Sequence, residues 1–136
     1  MKKIDTAYIS NKKADFNEIE YIIENLFTED SEEWLCLFDT SKKNPNYIQI
    51  HSDIEDFEDE AANFIVNVLD YDTNVIDEIK ELYLIEYRKY KNKDDFKHYR
   101  AFFDKPETII SYFEKYMNDE TINVEQWIDV TEEFEE

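Results

Sequence analysis

The stretch LYLIEYRKYKNKDDFKHYRAFF, residues 82–103, decides the fold class of this chain. It contains two runs of aromatic and β-branched side chains separated by a short polar segment, which is the pattern of a β-hairpin. A turn centred on Lys93 places Glu86 opposite Arg100 and also aligns two tyrosines. Facing charges of opposite sign and facing aromatic rings both favour that register. The stretch therefore predicts two antiparallel strands, near 82–91 and 96–103.

Two apolar runs ahead of the hairpin predict further strands, near 34–39 and 46–51. The first run, WLCLFD, carries apolar residues at consecutive positions, so we expect it to lie centrally in the sheet with both faces covered. Apolar residues at helical spacing predict helices near 15–27 and 106–117. The side chains expected to meet in one core are Ile23, Trp34, Leu84 and Phe113.

Both predicted helices have recognisable starts. Asp15 followed three residues later by Glu18 matches a capping box, and Pro106 suits the first turn of a helix.

The segment between Asp53 and Glu81 is less regular. Its apolar residues fit one helical face, although residues 63–69 alone could form a strand, and we favour the helix. Thr73 could cap a further short helix that ends near Lys80.

The chain contains no glycine, so a turn that needs a positive φ angle must use asparagine or aspartate. No repeat or low-complexity tract divides its 136 residues. The order helix, strands, helix, strands, helix lacks the regular alternation of parallel sheets. We therefore expect a single α+β domain over residues 1–136, with helices packed on an antiparallel sheet.

The composition is strongly acidic, with 35 Asp and Glu against 15 Lys and Arg and a formal net charge of −20. A further 10 Phe, 10 Tyr and 2 Trp supply enough apolar surface to fold despite that charge. A negative field repels nucleic acid and anionic membranes and attracts cationic proteins, so we expect a basic protein partner. Solubility or adaptation to salt is the alternative explanation of the acidity.

The acidic residues are segregated along the chain. Segments 14–40 and 44–79 hold 9 and 10 acidic residues and no Lys or Arg, whereas segment 80–115 holds 9 basic and 7 acidic residues. The two densest acidic clusters are candidates for a partner-binding surface, with a merely solvated face as the alternative. The candidate residues are Glu29, Asp30, Glu32, Glu33, Asp53, Glu55, Asp56, Glu58, Asp59 and Glu60.

Catalytic chemistry finds little support in the sequence. Phosphate-binding and nucleophile-elbow motifs need glycine, and neither His51 nor His98 lies in a motif. The only cysteine, Cys36, lies in an apolar run and predicts a buried thiol in a reducing cytoplasm. No apolar stretch reaches the length of a membrane span. We expect a cytoplasmic protein without enzymatic activity, catalytic residues or cofactors.

One segment invites a metal-binding interpretation. Asp70, Asp72, Asn74 and Glu81 match four ligand positions of a calcium-binding EF-hand loop. The position that requires glycine is occupied by Val75, whose branched side chain disfavours the sharp turn. We therefore expect no metal site.

Several short segments resemble immunity proteins of bacterial polymorphic and contact-dependent toxin systems. They are WLCLFD at 34–39, NYIQI at 46–50, LIEYR at 84–88, HYR at 98–100, the helix after Pro106, and Trp127. The resemblance spans about two-thirds of the chain, and the acidic stretch between 50 and 82 departs from it. It implies a cytoplasmic protein that covers the active site of a cognate toxin or locks the toxin's fold.

The leading hypothesis is an immunity protein that neutralises a toxin, with carboxylates facing a basic toxin cleft. The alternative is an acidic nucleic-acid mimic that inhibits a DNA-binding enzyme, of the anti-restriction or anti-CRISPR type. A third possibility is an acidic adaptor without a toxin.

Overall fold

The hairpin predicted from residues 82–103 is present in the structure, a computed structural model that describes residues 1–28, 32–79 and 81–134 except the side chains of residues 76 and 77. In these described ranges, seven strands form one sheet. They are β1 (Lys2–Thr6), β2 (Lys12–Lys13), β3 (Trp34–Asp39), β4 (Tyr47–His51), β5 (Tyr83–Asn92), β6 (Asp95–Phe103) and β7 (Ile128–Asp129). The α-helices are α1 (Phe16–Glu24), α2 (Glu58–Asn67) and α3 (Pro106–Met117). Short 3-10 turns cover Glu55–Phe57, Thr73–Glu78 and Thr131–Phe134.

The sheet is antiparallel throughout, in the order β2-β1-β3-β4-β5-β6-β7, and the fold is α+β as predicted. Glu86 lies opposite Arg100 and Tyr87 opposite Tyr99, so the predicted register is confirmed. The four strands expected from the sequence are present within two residues of their predicted bounds. Strands β1, β2 and β7 were not predicted, because the last two are only two residues long and β1 is mostly polar.

One face of the sheet is fully covered by α1 and α3. On β1, β3 and β4 the side chains of Ile4, Leu35, Leu37, Ile48 and Ile50 are all 0% exposed. The two helices add Ile23 and Phe113 to the same hydrophobic core. This face therefore contains most of the apolar material that stabilises the fold.

The opposite face is covered only in part. Over β6 it packs against α2 and the turn Thr131–Phe134. On β1, β3 and β4, however, the side chains that alternate with the core residues are all half-buried. The expectation that β3 is covered on both faces is therefore wrong. Trp34 is also not a core residue, because it points to this second face while its neighbour Leu35 fills the core.

The helix starts follow the sequence, with one difference. The Asp15 side chain accepts a hydrogen bond from Asn17 N at 2.9 Å and caps α1, as predicted. Glu18 does not complete a capping box, because its carboxylate binds Lys12 Nζ at 2.7 Å instead. Pro106 occupies the first turn of α3.

The segment after β4 is helical, as favoured. It forms the turn Glu55–Phe57 and then α2, so the strand alternative for residues 63–69 is wrong. The short helix expected from Thr73 is a 3-10 turn, and the capping bond comes from Asp72, whose side chain accepts from Asn74 N. Lys80, its predicted end, lies outside the described residues.

The tight turns use asparagine and aspartate where other proteins use glycine. Among the described residues, positive φ angles occur at Asn11 (53°), Asp70 (59°) and Asp119 (58°). These are the residue types that tolerate this conformation best after glycine, as the absence of glycine predicted.

Candidate partner-binding surface

The antiparallel register brings Glu33 of the first acidic cluster beside Asp53 of the second, at one end of the sheet. β3 starts and β4 ends there, with Trp34 opposite His51. The backbone N and the hydroxyl of Ser52 both donate to Glu33 O, at 3.1 and 3.2 Å. Glu33 and Asp53, which are 20 positions apart in the sequence, are therefore neighbours in space.

Six of the candidate carboxylates are exposed, and we call this set the acidic surface. It consists of Glu33, Asp53, Glu55, Asp56, Glu58 and Asp59. Within the described ranges, no basic side chain lies within 4.0 Å of any of these carboxylates. The acidic surface is thus a concentration of negative charge that the described part of the chain does not neutralise.

Part of the acidic surface also has a local structural role. The Asp53 side chain accepts from Glu55 N at 2.9 Å and closes the turn that precedes α2. Glu58 and Asp59 lie in the first turn of α2, where negative charge stabilises the helix by about 0.3–1 kcal/mol per residue. These contributions explain some acidic residues at this place, but they do not require six of them.

The remaining candidates behave differently. Glu60 is paired inside the protein, because its carboxylate contacts Arg100 Nη1 at 3.3 Å. Glu32 is half-buried, and its Oε2 has no hydrogen-bond partner among the described residues. Glu29 and Asp30 lie outside the described residues.

A buried ionic network next to the acidic surface ties separate elements to the sheet. Glu86 accepts from His98 Nε2 at 2.8 Å, from Arg100 Nη2 at 3.1 Å and from Gln49 Nε2 at 3.2 Å. Glu86, His98 and Arg100 are 6%, 0% and 2% exposed. Arg100 reaches further to Glu60 on α2 and to Glu133 in the C-terminal turn. The network thus fixes both of these elements on the second face of the sheet.

The charges in this network reinforce one another. Burial alone raises the pKa of Glu86, but hydrogen bonds from His98 and Arg100, together with the charge of Arg100, more than offset it, so the pKa is lowered. Burial likewise lowers the pKa of Arg100, while the three facing carboxylates raise it beyond its ordinary value. Both groups are therefore held in their charged forms.

The network does not continue to a nucleophile. His98 Nδ1 accepts from Arg88 Nε at 2.9 Å, so the ring proton is on Nε2 and points to Glu86. In a hydrolytic triad, a serine or cysteine would occupy the position of Arg88. The Arg88 guanidinium is instead enclosed by four aromatic rings, whose centroids lie 4.2 to 5.9 Å from its Cζ. The rings belong to Tyr47, Tyr90, Phe96 and Phe134.

Two reactive residue types lie on the half-covered face. Burial, and then the charge of Asp5, raises the pKa of the Cys36 thiol to about 12, so the thiol is protonated and weakly nucleophilic at neutral pH. Burial is also the main cause of the lowered pKa of His51. Cys36 is half-buried, so the expected buried thiol is only partly confirmed.

The basic residues cluster at the opposite end of the sheet. The tip of the β5–β6 hairpin carries Lys89, Lys91, Lys93 and Lys97, all exposed. Because adjacent strands are antiparallel, this tip lies a strand length away from the end where Trp34 pairs with His51. The molecule is therefore polarised along its strands.

The described residues contain neither a metal-binding cluster nor a membrane-spanning helix. Within them, no group of three or more His, Cys, Asp or Glu side chains is placed to hold a metal ion. In the same residues, no helix is long and apolar enough to span a membrane.

Comparison with known proteins gives no relatives. No family model, curated protein or solved structure matches the chain.

The sequence named all six residues of the acidic surface as candidates but did not indicate two features of the candidate set. It did not join the two clusters, although the predicted pairing of the strands at 34–39 and 46–51 would have placed Glu33 beside Asp53. It also did not distinguish Glu60, which pairs with Arg100, from the exposed carboxylates, although Glu60 directly precedes the buried Ala61.

Proposed function

We propose that this protein binds and neutralises a cationic protein, as the immunity proteins that it resembles neutralise their cognate toxins. The observation that carries the proposal is the acidic surface, six exposed carboxylates that no basic side chain of the described residues neutralises.

The local concentration of carboxylates supports a cationic partner more strongly than the net charge alone does. Carboxylates that adjoin one another repel, and the chain tolerates this repulsion in addition to a net charge of −20. A cationic partner removes the repulsion and gains attraction, so the same residues that weaken the isolated fold favour the complex. The alternative explanation of the acidity, solubility, requires only that charge be spread over the surface.

The nature of the partner comes from two independent arguments. Charge complementarity gives a basic protein and disfavours nucleic acid and anionic membrane. The resemblance to immunity proteins implies the class of that protein, a toxin, and an encounter in the cytoplasm. Many toxins act on nucleic acids through basic clefts, and carboxylates can occupy the places where such clefts bind phosphates.

Co-expression tests the proposal directly. The reading frame next to the gene of this protein is expressed in a bacterial host, with and without this protein, and growth is measured. We expect the neighbouring product to arrest growth and this protein to restore it. Failure of this protein to restore growth, or a harmless neighbouring product, contradicts the proposal.

Two variants test which surface of the protein is needed for protection. One replaces Asp53, Glu55, Asp56, Glu58 and Asp59 by lysine, and the other replaces Lys89, Lys91, Lys93 and Lys97 by glutamate. We expect only the first to lose protection, since a cation facing a reversed charge is strongly disfavoured. Circular dichroism of both purified variants checks that each one is folded. Loss of protection by the second variant alone would place the interface on the hairpin.

A further inference from the structure

The half-covered face of the sheet carries a continuous set of partly exposed side chains. We call it the open face, and it consists of Lys3, Asp5, Trp34, Cys36, Phe38, Tyr47, Gln49 and His51. Each of these side chains is half-buried, whereas the residues that alternate with them on β3 and β4 face the core. On this second face, α2 and the turn Thr131–Phe134 pack over β6, whereas the side chains of β1, β3 and β4 are only half-buried.

Three aromatic side chains on this face lie outside the core of the other face, and one of them, Tyr47, also packs on the Arg88 guanidinium. Trp34, Phe38 and Tyr47 belong to the two adjacent strands β3 and β4, and Phe38 lies directly opposite Tyr47. The core on the other face is complete without them, since its residues on these strands are 0% exposed. Clustered aromatic side chains on a surface are typical of the centre of a protein interface.

One end of the open face, where β3 starts and β4 ends, is acidic. Glu33 precedes Trp34, and Asp53 follows His51 by two residues, so members of the acidic surface border the end of the face. Asp5 lies within the face, opposite Cys36. An apolar centre with a charged border is the usual anatomy of a protein interface.

We propose that the open face is the central contact of this protein with its cationic protein partner, and that the acidic surface forms one border of that contact. This inference rests on the proposed function and adds the location of the contact. A second copy of the chain is a poorer occupant, because two molecules that each carry a charge of −20 repel one another.

The two regions then have separable kinetic roles. Exposed charges at a border act at a distance and mainly set the association rate. Aromatic residues at a desolvated centre mainly set the dissociation rate. Truncation of the aromatic residues should therefore change dissociation without changing association.

The first experiment measures binding kinetics with the purified product of the neighbouring reading frame as the probe. Trp34→Ala and Phe38→Ala are compared with Tyr21→Ala, whose ring is 68% exposed on α1, the helix that covers the other face. We expect one of the first two variants to dissociate about 30-fold faster or more, the effect of an interface hot spot, and Tyr21→Ala to match the wild type. Unchanged dissociation of both open-face variants overturns the inference.

The second experiment uses the unaltered protein, so it does not depend on whether a variant folds. Cys36 lies in the middle of the open face and is the only cysteine. Because its thiol is half-buried and protonated, a large excess of a maleimide is used, and the slow rate of alkylation reports on that face alone. We expect a saturating amount of the neighbouring product to slow the reaction at least about tenfold, because a buried interface excludes the reagent.

The outcomes separate the two proposals. A probe that does not bind the wild-type protein contradicts the proposed function and this inference together. A probe that binds and leaves Cys36 alkylation unchanged contradicts the inference alone. A concentration-dependent dimer of the free protein that Trp34→Ala abolishes would assign the open face to a second copy.

Discussion

Glu86 and Arg100 form an ion pair across the β5–β6 hairpin, and both side chains are buried. The sequence predicts that the two residues face each other across the hairpin, as an ion pair that helps to set register. The structure confirms the pairing and also buries it, since α2 and the C-terminal turn pack over β6. A buried pair has a different energetic role, because removal of either partner leaves an uncompensated charge.

We predict that Arg100→Met strongly destabilises the fold. Glu86 would remain buried without its strongest cation, and such losses cost about 3 to 5 kcal/mol. Urea denaturation at neutral pH measures the free energy of unfolding. A variant that keeps the stability of the wild type within about 1 kcal/mol would contradict the prediction, since that is the range of an exposed pair.

The pH dependence of Glu86→Gln provides the matched measurement. The pKa of Glu86 is lowered in the folded state, so its contribution to stability is present above its ordinary value of 4.5 and is lost as the pH falls through the lowered value. The difference in unfolding free energy between wild type and Glu86→Gln should therefore be largest above about pH 5 and shrink on acidification. Glu55→Gln, at an exposed position, is the control.

Trp34 marks the limit of sequence reasoning at the residue scale. Its run WLCLFD has apolar residues on both faces of a strand, which in most proteins means that both faces are covered. The register of β3 was predictable, but the coverage of its second face depends on where α2 packs. Local patterns do not contain that information, so the open face could not be predicted.

At the scale of elements, the end of α2 shows how a helix terminates in a chain without glycine. After this helix, Tyr71 N donates to Ile65 O at 3.0 Å, and the intervening Asp70 has a φ of 59°. Asp70 thus takes the left-handed conformation that glycine most often adopts after the end of a helix.

We predict that Asp70→Gly is more stable than Asp70→Ala. Both variants remove the same charge, but the left-handed conformation costs a residue with a β-carbon about 1 to 2 kcal/mol, and glycine avoids that cost. Thermal and urea denaturation should show a difference of about 1 kcal/mol in favour of glycine. The same pair of changes at Asp72, which lacks a positive φ, should give no such gain. Equal stability of the two Asp70 variants would refute the strain argument.

Other elements were predictable to different degrees. α3 was predicted at its observed bounds, because Pro106 marks its start and the spacing of its apolar residues marks its buried face. β7 was missed, because a two-residue strand that pairs only with Tyr99 and Arg100 has no periodicity to detect. The acidic surface was predicted as two clusters and became one only through the register of β3 and β4.

At the scale of the whole molecule, charge is arranged along the strand direction. Glu33 and Asp53 of the acidic surface lie at the end where β3 starts and β4 ends, and the lysine-bearing hairpin tip lies at the opposite end. Screening limits the field of exposed charges to about 8 Å at physiological ionic strength, which is shorter than the length of these strands. A partner that approaches one end is therefore little affected by charges at the other.

This polarity gives a prediction for association kinetics with the purified product of the neighbouring reading frame. Replacement of Asp53, Glu55, Asp56, Glu58 and Asp59 by their amides should slow association at low salt by about tenfold or more and weaken its dependence on ionic strength, because steering by complementary charge is lost. Replacement of Lys89, Lys91, Lys93 and Lys97 by glutamine should change the rate by less than about threefold, since those charges are screened from the acidic end. Stopped-flow mixing over a salt series measures both effects. If the lysine variant shows the larger change, then net charge or the hairpin governs encounter, and the acidic surface is a solvated face.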